Sequence, residues 1–121
     1  RKVYAVDTGL VVANTASFSD QTEQLFENMV FLYLRQQVPE LYYFSENHQC
    51  DFVIMKKNRV EKVVQVCVEL KQDNLEKELN GIFEAMEFFD LSEGRIVTMN
   101  QNDRFERNGR VVQVLPFHGF V

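Results

Sequence analysis

Apolar and polar positions change period several times along the chain, and the changes divide it into elements. The densest apolar run, 49–55 (Gln-Cys-Asp-Phe-Val-Ile-Met), is interrupted internally only by Asp51 and predicts a strand. The stretch 60–71 predicts a second strand: Val64, Val66, Val68 and Leu70 share one parity, while Glu61, Gln65, Cys67, Glu69 and Lys71 share the other. Between them Lys56-Lys57-Asn58-Arg59 is a polar tip, and Asn58 tolerates the left-handed conformation that tight turns need. The two arms therefore predict a hairpin. A turn centred near Asn58 sets Asp51 opposite Val64 or Gln65, and in the second register the two polar side chains share a face.

The flanking pattern predicts the support for that hairpin. Lys2-Val3-Tyr4-Ala5-Val6 is strand-like, Asp7-Thr8-Gly9 is a turn signal with Asp7 as an Asx-turn residue, and 10–13 is a short apolar piece. After a polar stretch, Asp20 with Glu23 three residues on predicts a capped helix start. Leu25, Phe26, Met29, Val30, Leu32 and Leu34 carry the helix to a stop before Pro39. Residues 40–45 predict a strand and 46–48 a turn into the hairpin. Beyond Lys71, Asp73 and Glu76 repeat the cap signature, and Leu75, Leu79, Ile82, Phe83, Met86 and Phe89 predict a second helix, ended by Gly94. Residues 95–100 predict a strand, and 105–115 a closing hairpin on an Asn108-Gly109 primed turn, ended by Pro116. This order predicts an α/β fold, a mixed central sheet with helices against it.

Length bounds the answer to one domain, since 121 residues suffice for a single continuous core. At 45% hydrophobic and 26% charged residues, wholesale disorder is excluded. No apolar run approaches the roughly 20 residues of a membrane span and no signal-peptide pattern is present, so the expected compartment is the cytoplasm. The net charge of -5 argues against gripping nucleic acid by bulk electrostatics, which needs clustered Lys and Arg. Two cysteines make no zinc site. With Asp51 facing Gln65, Cys50 and Cys67 fall on opposite faces of the hairpin and do not easily bridge; Cys50 is expected to be a small buried thiol. A start at Arg1 directly before a strand-like segment reads as a domain excised from a longer protein.

Four residues stand out chemically. Glu27 has Val30, Phe31 and Leu34 at i+3, i+4 and i+7, which puts a carboxylate on or beside an apolar stripe. It either reaches solvent from the margin of the stripe or points at the polar face of the sheet toward Asp51. Asp51 and Gln65 are candidates for shared chemistry through the hairpin register. His48, near Asp51 in sequence, is a turn residue or a base.

An inward Glu on a helix, followed by a hairpin with Asp in one strand and a polar-x-polar pair in the next, resembles the PD-(D/E)XK, restriction-endonuclease-like superfamily. Residues Lys2 to Leu10 (Lys-Val-Tyr-Ala-Val-Asp-Thr-Gly-Leu), Leu25-Phe26-Glu27-Asn28, Asp51-Phe52-Val53-Ile54 and Gln65-Val66-Cys67 narrow the likeness. They resemble the C-terminal nuclease-like domain of unknown function that follows the AAA-type ATPase module in bacterial and archaeal ATPases. The resemblance implies a restriction-endonuclease-like core with an added C-terminal hairpin, and an ATPase module in the same polypeptide. It also implies a Mg²⁺ or Mn²⁺ site and a DNA-related role. It carries Glu27 to the helix acid, Asp51 to the strand Asp and Gln65 to the Glu-or-Gln position, all three as catalytic and metal-binding residues. Cys67 stands where the motif Lys belongs, and a neutral thiol supplies no ammonium charge. No G-x-x-x-x-G-K-[ST] occurs, so no ATP site is expected here.

Glu69-Leu70-Lys71 spells an alternative Glu-x-Lys, but using it moves the site four residues, about 13 Å at strand rise. Lys71 folding back, or Lys62 after a register change, are other sources of a lysine. Three readings follow: a degenerate nuclease serving as a nucleic-acid or protein interaction module; an active Mg²⁺- or Mn²⁺-dependent DNA nuclease; and a structural domain with Glu27 and Asp51 as a buried hydrogen-bonded pair. Lys56, Lys57 and Arg59 at one hairpin tip, and Arg104, Arg107 and Arg110 around the other, are solvated turns or phosphate contacts.

Overall fold

In the computed structural model, residues 3–5, 18–38 and 40–120 are described. The alternating runs form a seven-stranded mixed sheet, and the 3.6-residue stripes form the helices that cover it. In chain order these are β1 (Val3–Ala5), α1 (Phe18–Gln37), β2 (Leu41–Ser45), β3 (Gln49–Lys56), β4 (Arg59–Val66), α2 (Leu75–Phe89), β5 (Glu93–Thr98), β6 (Asp103–Arg107), β7 (Arg110–Pro116) and α3 (Phe117–Phe120). The sheet order is β1-β2-β3-β4-β5-β7-β6. β1 to β4 pair antiparallel, β4, β5 and β7 run parallel, and β6 closes the edge antiparallel to β7. The expected turn at 7–9 and apolar piece at 10–13 lie outside the described residues.

Two core clusters separate the layers. On one face α2 buries Leu79, Ile82, Phe83, Ala85 and Met86 against Phe44, Val53, Val63, Ile96, Val112 and Val114. On the other, α1 buries Phe26, Val30, Phe31 and Leu34 against Phe52, Ile54, Val64, Val66 and Val97, with α3 packed beside it. The parity of β4 decides the division: Val63 turns to α2, Val64 to α1.

The central hairpin forms as its pattern predicts. Lys57 (φ 54°) and Asn58 (φ 63°) make a two-residue turn with both residues left-handed, the primed geometry that matches strand twist. Asn108 (φ 52°) and Gly109 (φ 80°) do the same between β6 and β7. The closing hairpin is not an appendage, because β7 lies parallel to β5 in the body of the sheet and only β6 is at the edge.

Several expectations are corrected. The second hairpin arm ends at Val66, not Lys71, and Lys71 sits exposed beside Glu69 (3.9 Å) outside the strand. Helix α1 starts at Phe18, so Asp20 is not its N-cap, and Glu23 accepts instead from the Val68 N–H (3.2 Å to each oxygen). Asn74, not Asp73, precedes α2; its Oδ1 accepts from the Lys71 N–H (2.7 Å). Asp90, left-handed at φ 56°, ends that helix rather than Gly94. Gly94 lies within β5, where a Cβ would press on Met86 Sδ and Ile82 Cδ1, so its smallness lets α2 seat on the sheet. Cys50 and Cys67 are both free and buried, but they share the α2-side core. An irregularity in the β2–β3 ladder, between the Tyr42–Val53 and Phe44–Cys50 pairs, breaks the alternation of β3 and turns Cys50 to that side.

Candidate functional site

The Phe52–Val64 and Val53–Val63 pairs extend to set Asp51 across from Gln65, the register that joins the two polar residues. The backbone of Asp51 and the side chain of Gln65 meet directly: the Asp51 N–H donates to Gln65 Oε1 (2.9 Å). Asp51 Oδ2 in turn accepts from the Val66 N–H (2.9 Å), so the carboxylate caps β4 where its ladder to β3 ends.

Gln65 is buried, with both its oxygen and its amide nitrogen engaged. Its Nε2 donates to the Gln49 carbonyl (3.3 Å) and to Glu78 Oε1 on α2 (3.0 Å). Gly81, one turn along α2, permits this approach, since a Cβ there would collide with the Gln49 carbonyl oxygen and crowd Gln65 Nε2. The helix therefore rests on the hairpin at the point where the amide is clamped.

Four carboxylates surround the same cleft of about 550 Å³, Glu23 and Glu27 from α1, Asp51 from β3 and Glu78 from α2. Glu27 points toward Asp51 and not out to solvent. Burial, then the neighbouring Glu23 and Glu78, push its carboxyl up to about 7. Burial, then the charge of Glu27, hold Asp51 well above the ordinary carboxylate range. Glu78 is raised by burial, although Gln65 and Lys77 oppose the shift. Like charges in a partly desolvated cleft disfavour full ionisation, so near neutral pH the cluster retains protons.

The position expected to hold a lysine is closed. The Cys67 thiol donates to the Glu69 carbonyl (3.1 Å) and accepts from Asn74 Nδ2 (3.5 Å). Burial first, then Glu78 and Glu23, raise it to about 12, which keeps it a neutral thiol. Lys62 does not enter the cleft; it pairs with Ile54 on the α1 face of the sheet. Lys77 on α2 does line the cleft. His48 lines it too, but its N–H donates to Glu84 Oε1 (2.9 Å) and its Nδ1 lies 3.7 Å from Glu84 Oε2, which docks the β2–β3 turn on α2.

The structure thus gathers Glu27, Asp51 and Gln65. Lys56, Lys57 and Arg59 are exposed at the far tip of the hairpin, roughly 16 Å of strand from Asp51 to Lys56. Arg107 and Arg110 fasten the closing hairpin to α2. Arg107 bonds Asn80 Oδ1 (2.8 Å) and Glu76 (3.1 Å) and stacks over Phe83, while Arg110 donates to the Leu91 carbonyl (2.7 Å). Glu23, Lys77 and Glu78 were not legible as site residues, because only the packing of two helices over the end of β4 brings them to Asp51.

The residues can be tested against the Mg²⁺ or Mn²⁺ that the nuclease resemblance implies. Among the described residues no group of three or more His, Cys, Asp or Glu side chains is placed to hold a metal ion. Gln65 has its oxygen and amide hydrogens committed to protein partners, and one Asp51 oxygen is committed to Val66. Divalent magnesium takes six oxygens in near-octahedral geometry. As arranged, these groups serve the protein's own hydrogen bonds and form no octahedral oxygen set.

The chain is similar, at 30% identity over 112 residues, to an uncharacterized protein of Methanocaldococcus jannaschii; the match covers 84% of the chain and 25% of that protein. The chain therefore spans about a quarter of the length of this relative. No protein-family model and no solved structure matches. Among the described residues no helix is long and apolar enough to cross a membrane.

Proposed function

We propose that the chain is a nuclease-like domain of the restriction-endonuclease-like type whose centre no longer cleaves, acting as a nucleic-acid or protein interaction module beside an ATPase module in a longer polypeptide. The observation that carries this reading is the clamped Gln65 with Cys67 beside it. The residue in the Glu-or-Gln position holds the Asp51 backbone and Glu78, and the residue in the Lys position is a neutral, internally bonded thiol. Together they convert a catalytic layout into a structural joint between β3, β4 and α2.

Calorimetric titration with Mn²⁺ and Mg²⁺, run beside cleavage assays on single- and double-stranded DNA, tests it. The expected result is no cleavage by either the protein or Asp51→Ala, and no metal heat that depends on Asp51. Metal-dependent cleavage that disappears in Asp51→Ala overturns the reading.

A second reading, an active Mg²⁺- or Mn²⁺-dependent nuclease, is favoured by one observation. Lys77 lines the carboxylate cleft from α2 and opposes the upward shift of Glu78, a cation beside the acids where Cys67 offers none. In that case Lys77→Met abolishes cleavage while leaving the metal titration intact.

A further inference from the structure

On the α1 face of the sheet, away from the carboxylates, two positions break the apolar pattern. Lys62 and Val64 on β4 share a face, as do Arg95 and Val97 on β5; Val64 and Val97 are core, and Val64 pairs in register with Arg95. Lys62 and Arg95 therefore stand where the face continues beyond the residues that α1 covers. Arg95 is half-buried, yet neither cation makes a hydrogen bond or ion pair with the protein among the described residues. Glu93, on the same face of β5, forms no ion pair with Arg95 either. A guanidinium carries five donors in a fixed fork, and a partly desolvated one without an acceptor is poised for an external anion.

Both cations line a cleft of about 430 Å³ between α1, the sheet and α3. Its floor includes Ile54 and Val64, and its wall is the aromatic pair Tyr33 and Phe120, with ring centroids 5.9 Å apart. One acid, Glu61, also lines it; it is the residue left unpaired where the β3–β4 register slips between Ile54–Lys62 and Met55–Val60. The exposed Lys56, Lys57 and Arg59 lie at the end of β3, in the turn and at the start of β4, a short distance along the hairpin from Lys62. The protein as a whole carries -5, so this is a local departure from its charge.

We propose that this cleft binds a nucleotide, its phosphate on Arg95 and Lys62 and its base against the Tyr33–Phe120 wall, either as a free mononucleotide or as one unit of a single strand. Cations supply the phosphate contact without reading sequence, and an aromatic wall accepts any base. The site is independent of the carboxylate cleft, so failure of either leaves the other standing.

The test is calorimetric titration of the protein with inorganic phosphate, adenosine monophosphate and a labelled oligothymidine, repeated at several salt concentrations. Binding of the mononucleotide or the oligonucleotide is expected, tighter than that of phosphate. Arg95→Gln is expected to weaken it at least tenfold. Lys62→Gln, at an exposed position that leaves the core untouched, is expected to lower the slope of log K against log salt by about one. Asp51→Ala leaves binding unchanged. Oligonucleotide binding alone assigns the site to single strands, and mononucleotide binding of equal strength assigns it to free nucleotides. No binding of any probe overturns the proposal. So does affinity that is unmoved in both cation variants but lost in Asp51→Ala. Phosphate binding as strong as that of the nucleotides overturns the role of the aromatic wall.

Discussion

At the scale of single residues, Glu27 and Gln65 give opposite tests of the carboxylate cleft. Glu27 is raised from the usual 4.5 to about 7, so the folded chain keeps its proton at pH values where the unfolded chain has lost it. The resulting stability is fully present below about pH 4.5 and is lost as pH rises through 7. Its ceiling is on the order of 3 kcal/mol, and Asp51 and Glu78 are shifted the same way. Urea unfolding at pH 5 and pH 8 should therefore show a pH-dependent loss that Glu27→Gln reduces by roughly 2 kcal/mol. An unchanged difference between the two pH values would mean that Glu27 ionises in the fold as it does in the open chain. Gln65→Glu acts in the other direction, since it removes the donors to Gln49 and Glu78 and adds a fifth carboxylate. A loss of about 2–4 kcal/mol at pH 8, smaller at pH 5, is expected in the same assay. Sequence pattern places Glu27 between solvent and site. Parity cannot choose for a helix that is apolar over much of its circumference, and only the seating of α1 over β4 does so.

At the scale of elements, turns and close approaches carry the specificity. The β3–β4 turn spends left-handed backbone on Lys57, a residue that strains there, whereas the β6–β7 turn uses Asn-Gly. Replacing Lys57 with Asn and Asn58 with Gly should raise stability by about 0.5–1 kcal/mol, read as a higher urea midpoint at unchanged slope. A lower midpoint would count against the primed-turn geometry. Gly81 argues the converse: Ala is the better helix former by about 1 kcal/mol, but its Cβ would meet the Gln49 carbonyl. Gly81→Ala should therefore destabilise, by about 1–3 kcal/mol, because the obstacle is backbone and cannot rotate away. Both hairpins were legible because dipeptide turn signals and period-2 alternation are local. The limits of the helices were less so, since Asp20 and Asp73 carry the chemistry of caps at positions where the tertiary fold does not end the helix.

At the scale of the whole molecule, two clefts of opposite character lie on different parts of one sheet. Carboxylates gather at the end of β4 under α1 and α2. Lys62 and Arg95 stand on the α1 face, where α1 and α3 leave the sheet uncovered between them. Of the arginines around the β6–β7 tip, Arg107 and Arg110 hold the sheet edge to α2 and the residues that end it. Arg107→Ala should accordingly cost roughly 1–2 kcal/mol of stability, through lost bonds to Asn80 and Glu76 and lost stacking on Phe83, and leave nucleotide affinity unchanged. A fall in affinity without a fall in stability would return Arg107 to the list of phosphate ligands.

The α/β class, the two covering helices and both hairpins are readable from the chain, which narrows the residue opposite Asp51 to Val64 or Gln65; the strand ladder selects Gln65. The class, the helices and the hairpins follow from periodicity and turn chemistry within a few residues. The packing of distant elements decides that Glu23 and Glu78 join Asp51, that Cys50 and Cys67 share a core, that Gln65 is clamped, and that Arg95 has no hydrogen-bond or ion-pair partner among the described residues. Each depends on where elements distant in sequence come to rest. A β-bulge or a glycine that admits a helix reverses what parity implies, and neither leaves a periodic trace in the chain.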